Sequence, residues 1–270
     1  MTAPGGNSKI GQDAAYQLAG PLGLITGVSG FNKFGRARDV DTTDDPATIW
    51  PGSDGAPVVG NSLYTYSASA EAHYIASTDA GDTTQTVTVQ GLDADWNVQT
   101  IEVSLNGQTR VRIGSTETFI RVFRASSDAA LAGTVHVGVG TYTSGSPDSA
   151  NDVRAVIVQG SDQTEQAAYS IPDGYSGLLT GYHLSLNRIS GSTTAQVTVT
   201  LRVREFGETA FKVKATLNLR AADVDGSRLY DPHLVIPAKA DIELRVDEVS
   251  ANDVDITGEF DLWLVQDGAL

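Results

Sequence analysis

The chain has no cysteine, one methionine (Met1) and only five lysines in 270 residues. The absence of Cys excludes disulfides, thiolate metal sites and thiol nucleophiles. Scarce Lys, with 33 acidic against 18 basic residues and a formal charge of −15, argues against a surface that wraps nucleic acid, since phosphate neutralisation needs clustered cations. No run approaches the ~18 apolar residues of a membrane-crossing helix, and no membrane partner is expected. The N-terminus has no basic stretch followed by an apolar one, so no secretory signal is read there. At 40% hydrophobic content the chain can nevertheless bury a sizeable core.

What is present is β pattern. Residues 1–60 are rich in Gly and Pro without sustained alternation, and read as an extended N-terminal arm. One short helix is expected around Asp13–Ala19, stopped by Gly20 and Pro21. From Asn61 onward apolar residues alternate with polar ones: Val87 and Val89; Ile101, Val103 and Leu105; Val135, Val137 and Val139. The longest series is Ala195, Val197, Val199, Leu201 and Val203, followed by Ile242, Leu244 and Val246, then Phe260, Leu262 and Leu264. Asn106-Gly107, Ile189-Ser-Gly191-Ser and Phe206-Gly207-Glu read as hairpin punctuation. Short strands at regular spacing with no intervening amphipathic helix predict an all-β protein of antiparallel β-sandwich or jelly-roll-like modules. The Ser/Gly/Pro/Asp-rich stretch from Thr143 to Asp152 suggests a division into module 1 (61–145) and module 2 (150–270).

Nothing in the pattern specifies a reaction. His73, His136, His183 and His233 lack metal-ligand spacing, and their strand-like surroundings suit structural or surface roles. No nucleophile elbow, phosphate loop or dinucleotide fingerprint occurs. Carboxylates are abundant: Asp39, Asp41, Asp44 and Asp45 lie close together, and Asp93/Asp95, Asp223/Asp225 and Asp253/Asp255 form D-x-D pairs. Such loops suit Ca²⁺, but none follows the EF-hand pattern, and Asp is an ordinary turn residue. No catalytic residue, cofactor or metal is therefore expected. One cluster combines aromatic anchors with cations, namely Phe31, Lys33, Phe34, Arg36 and Arg38, a composition common at interface hot spots. It is a candidate interface; the alternative is that the Phe pair pins the arm to its own body. For sugar stacking, Trp96 at a turn is the more exposed candidate, whereas Trp263, among apolar neighbours, is expected to be buried.

The stretch Val28-Ser-Gly-Phe-Asn-Lys-Phe-Gly-Arg-Ala-Arg-Asp-Val-Asp41, with Ile49-Trp50-Pro51, resembles a group of poorly characterised virion structural proteins of tailed bacteriophages, many of them marine. Val87–Trp96, Phe119-Ile-Arg-Val-Phe-Arg124 and Tyr169–Gly181 extend the resemblance in the same order over most of the chain. It implies a non-enzymatic virion component, made in the host cytoplasm and assembled with itself and with capsid or tail proteins. A capsid decoration or cement protein leads, and a tail-associated adaptor or fibre-base protein follows. A glycan-binding module or depolymerase is the alternative of another class. A double jelly-roll major capsid protein fits the length but not the tailed-phage resemblance.

Overall fold

The computed structural model describes residues 24–53, 60–188, 195–220 and 225–269. The helix expected at Asp13–Ala19 and the turn at Ile189–Ser192 lie outside the described residues. Among those described there is no α-helix, only two single turns of 3₁₀ helix at Pro51–Ser53 and Ala150–Asp152. The first strands are β1 (Val28–Val40) and β2 (Ala47–Thr48). Then come β3 (Tyr74–Ser77), β4 (Thr86–Leu92), β5 (Val98–Ser104), β6 (Val111–Arg112), β7 (Arg121–Ser127) and β8 (Val135–Gly138). A small pair, β9 (Tyr142–Thr143) and β10 (Ser146–Pro147), precedes β11 (Val153–Ile157) and β12 (Ala168–Ser170). The last six are β13 (Tyr175–Arg188), β14 (Gln196–Arg204), β15 (Lys212–Arg220), β16 (Asp225–Ile236), β17 (Asp241–Val249) and β18 (Val254–Gln266).

The pairing is antiparallel in every sheet. One sheet runs β1-β18-β13-β16, and a second runs β12-β17-β14-β15 with β2 also on β17. Their inward rows meet in one core: Leu184, Leu186, Ile256, Phe260 and Leu262 from the first, Val197, Val199, Leu201, Leu244 and Val246 from the second. Here the period-two reading holds for the apolar row, although Thr200 on the polar row is buried as well. On β14, Val197, Val199, Leu201 and Val203 are buried while Gln196 is exposed, because successive side chains point to opposite faces. Two further sheets, β11-β8-β3-β6 and β5-β4-β7, enclose a separate core of Ile75, Val87, Val89, Phe119, Val135, Val137 and Ile157. A third, smaller cluster joins the two bodies: Trp50, Tyr64, Val153, Val156 and Ala168.

Three sequence expectations are corrected. Residues 28–40 are not a free arm, because β1 pairs with β18 from Val28↔Val265 to Ala37↔Ile256. The period-two signal is disguised there: the inward positions include Lys33 and Gly35, which do not read as apolar. The first strands thus belong to the C-terminal body, and the 60–157 body is inserted between them and the remainder. Second, the Thr143–Asp152 stretch is no module boundary, since β11 beyond it pairs with β8 before it. That stretch is a tight excursion: β9 and β10 turn through Ser144 (φ 51°) and Gly145 (φ 82°), the two positive-φ residues of a type I′ hairpin. A Cβ on Gly145 would lie 1.8 Å from the Ser77 carbonyl oxygen, so the excursion lies tightly against β3. Third, Asn106-Gly107 is not a hairpin turn, because it carries the chain from β5 in one sheet to β6 in the other. Phe206-Gly207-Glu does join the paired strands β14 and β15.

Candidate functional site

The five residues of the sequence-predicted interface separate by face. Phe31 points inward, its ring 4.2 Å from that of Tyr169 and 6.0 Å from that of Phe123. Lys33 is buried, and its ammonium donates to the Phe123 carbonyl oxygen. Burial, and then the nearby Arg124 charge, hold the Lys33 pKa well below the ordinary lysine value. Both residues therefore grip β7 of the inserted body, whereas Phe34, the other member of the Phe pair, lines a groove on the opposite face. Arg36 Nε donates to Asp255 Oδ1 at 2.9 Å, and Arg38 pairs with Glu165 at 3.2 Å.

Phe34 and Arg36 line a groove of about 350 Å³ with Gly35, Glu165, His183, Thr257, Gly258 and Glu259. The sheet register builds it: Phe34, Glu259 and His183 stand side by side on β1, β18 and β13, and Arg36, Thr257 and Ser185 form the next row. Gly35 allows the flanking chain to close against β1. A Cβ there would lie 2.2 Å from the Ala167 nitrogen and 2.3 Å from the Ile49 oxygen. The groove therefore has one apolar wall, Phe34, and polar walls that include the half-exposed Glu259 and His183, 4.0 Å apart.

The second concentration of charge lies between the two bodies. Arg121 on β7 donates from Nε to Asp241 Oδ1 (2.8 Å) and from Nη2 to Asp241 Oδ2 (3.0 Å). Arg204 Nη2 donates to the same Oδ2 at 2.6 Å, and Ser170 Oγ donates to Oδ1. Tyr66 places its ring beneath both guanidiniums and donates its hydroxyl to Glu243 Oε2 at 3.2 Å. Glu243 is pushed up to about 7 by burial, against the opposing pull of Arg245, the Tyr66 hydrogen bond and the neighbouring arginines. A shifted carboxylate in a cleft can mark a catalytic acid. Here Glu243 is covered by Tyr66, and the cavity beside Tyr66 and Arg121 is about 10 Å³, scarcely room for one water; the cluster clamps Arg121 to Asp241.

Sequence reasoning missed this clamp, because Asp241 and Glu243 alternate with Ile242 and Leu244 and read as a solvent-facing row. The available signal was Arg121, a cation within the otherwise apolar run Phe119-Ile-Arg-Val-Phe. Trp96 is corrected as well: it is 6% exposed, at φ 66°, with its ring under Arg121 (5.0 Å) and against Phe206 (5.7 Å). Asp93 Oδ1 holds that turn by accepting from the Asp95 and Asn97 amides, so this D-x-D pair is a turn device. Trp263 is half-buried rather than buried, because it stands on the outer face of β18 while Leu262 and Leu264 face the core.

Of the remaining acidic stretches, Asp223 lies outside the described residues, and the loops at 39–45 and at Asp253 converge. Oxygens of Asp39, Asp41 and Asp253 lie within 4.8 Å of one another. Much of their use is backbone capping: Asp41 Oδ1 accepts from the Asp253 amide, Asp44 Oδ2 from the Asp41 amide, and Asp45 Oδ2 from Val249. Desolvation and the neighbouring Asp41 and Asp253 carboxylates raise the Asp39 pKa above the ordinary value. His73 and His136 are buried and pushed down to about 4 by desolvation. His73 lies edge-on to Phe119 with Nδ1 on the Glu71 carbonyl, a packed neutral imidazole. The chain matches no protein-family model, and no curated protein is significantly similar to it.

Proposed function

We propose that this protein is a non-enzymatic structural subunit of a tailed-bacteriophage virion, built from two β-sandwich or jelly-roll-like modules. Within the particle it acts as a capsid decoration, cement or capsid-surface protein in a symmetric oligomer. The observation that supports this reading best is the clamp. Arg121 of the inserted body is held by Asp241 of the C-terminal body, Arg204 shares that carboxylate from its own side, Tyr66 reaches across to Glu243, and the cavity beside Arg121 has scarcely room for one water. A part so fastened is suited to bearing load, and the resemblance of its sequence to phage structural proteins agrees with that. Its negative charge would repel packaged DNA and favours an outer position. A tail-associated adaptor is the second reading, for which the same rigidity serves equally.

The test is cryo-electron microscopy of purified virions from the phage that encodes the chain, with copies counted per particle. Hundreds of copies on icosahedral positions are expected. A small ring around the tail axis would move the protein to the adaptor role. Absence from the particle would overturn the structural reading, and a polysaccharide array would then test the glycan-binding alternative.

A further inference from the structure

The C-terminal body has two unlike flanks. On one, beside β1, lies the groove of Phe34, Glu165, His183 and Glu259, where the charge of Arg36 is met by Asp255 and that of Arg38 by Glu165. The same side of the sheet carries Asp39, Asp41 and Asp253. On the opposite flank β16 and β15 are the last strands of their sheets. Those two strands carry Lys212, Lys214, Arg220 and Arg228 against only Asp225 and Asp231, an excess of cations in a chain of charge −15. Lys212 is paired with Glu208, and Arg228 lies over the Tyr230 ring. All four basic side chains reach solvent.

Apolar exposure gathers on the same flank. Among the described residues six large hydrophobic side chains are exposed, and three of them, Val213, Leu229 and Val235, are on β15 and β16. Single exposed apolar residues need no explanation, but a group at one edge is the mark of an association surface. Val235 also ends a cross-strand row with Leu178 and Trp263, both half-exposed on the outer face.

Simple strand addition at this edge is blocked. Leu179 pairs with Leu234 and Gly181 with Leu229, so residues 230–233 bulge out of the ladder, and Pro232 among them has no amide to donate. Lys212 and Lys214 blunt the β15 edge in the usual way. Contact there has to be made by side chains.

We infer that the basic, apolar edge of β15 and β16 docks on the acidic groove flank of a second copy of this chain, forming a head-to-tail ring. The groove crosses β1, β18 and β13, and the edge lies beyond it on β16 and on β15 of the second sheet, so groove and edge are different surfaces of one copy. A contact between different surfaces of identical subunits is heterologous and closes into a ring when the rotation permits. Leu229 and Val235 supply the apolar contact that Phe34 matches, and Arg228 with the β15 cations meets Glu259. This inference rests on the oligomeric part of the proposed function and names the surfaces that would make it.

The experiment is sedimentation equilibrium of the full chain in low and high salt, with two variants whose folding is checked by circular dichroism. Glu259→Lys alters only the groove, and Arg228→Glu with Leu229→Glu alters only the edge. The wild type is expected to sediment as a closed oligomer that loosens at least tenfold in high salt, and each variant alone as a monomer. Mixing the two variants should give dimers and nothing larger, because one intact groove then meets one intact edge. A monomeric wild type, variants that assemble normally, or a mixture that stays monomeric would each overturn the inference. A chain found in virions yet monomeric in solution refutes this contact and leaves the virion role standing. A ring in solution with no copies in virions does the reverse.

Discussion

Strands β17 and β18 carry the same kind of row, polar side chains alternating with a buried apolar one, and the protein treats the two rows in opposite ways. On β17, Asp241 and Glu243 are each 3% exposed, because β7, Tyr66 and the chain around Ser170 lie over them. On β18, Glu259 keeps 46% of its side-chain exposure, and beside it a groove stays open. A polar row therefore says that a face is not part of the core; it does not say that the face is wet. What covers it is decided by another part of the chain.

The comparison can be broken by substitution. Asp241→Ala leaves Arg121 and Arg204 without their shared acceptor, one of them almost fully buried. Removal of one partner from a buried ion pair is expected to cost about 3–5 kcal/mol, read as a lower urea midpoint. Glu259→Gln, the matching change on β18, should fall within about 0.5 kcal/mol of wild type, since its row is half exposed. Equal losses at the two sites would refute the contrast. Trp50→Ala, at the seam of the two bodies, should cost about 3–5 kcal/mol, from lost burial plus an unfilled cavity and the lost hydrogen bond from Nε1 to the Asn61 carbonyl. If the bodies melted independently after this change, calorimetry would show two transitions where one is expected for the wild type.

The covered row also sets a pH dependence. Glu243 binds its proton more tightly folded (about 7) than unfolded, where the ordinary value is 4.5. Stability from this group is thus full below 4.5 and is lost as pH rises through 7, by about 3 kcal/mol. His73 and His136 act oppositely: their folded values near 4 lie below the ordinary 6.5, so stability is full above 6.5 and lost as pH falls toward 4. Thermal midpoints should accordingly peak just below pH 7, where the two histidines and the glutamate balance, and Glu243→Gln should steepen the rise between pH 4.5 and 7 and remove this group's fall above it. Gly35→Ala should give a smaller loss, about 1–3 kcal/mol, because the added carbon meets backbone atoms of Ala167 and Ile49 that are not free to move aside.

Some of this was legible in the residues and some was not. The strands whose inward positions are all aliphatic, such as β14 with Val197, Val199, Leu201 and Val203, can be read directly. β1 could not be read in that way, since its inward positions hold Lys33 and Gly35. The cluster of Phe31, Lys33, Phe34, Arg36 and Arg38 was recognisable as unusual, yet its division into two inward residues and a groove wall depends on which side of β1 faces β7. The three acidic side chains that converge at Asp39, Asp41 and Asp253 come from two separate D-x-D stretches. Only the antiparallel pairing of β1 with β18 brings them together.

By itself the sequence determined the class of the fold, the positions of most strands and the absence of thiol chemistry, because those follow from local periodicity and from residue inventory. The tertiary structure alone decided that residues 28–40 close the C-terminal sheet, that the chain from 60 to 157 is an inserted body, and that Asp241 and Glu243 lie dry beneath it. Strand pairing joins residues more than two hundred positions apart, as Phe31 with Leu262, and no local pattern encodes a partner at that distance. The energy that selects it comes from burying whole faces at once.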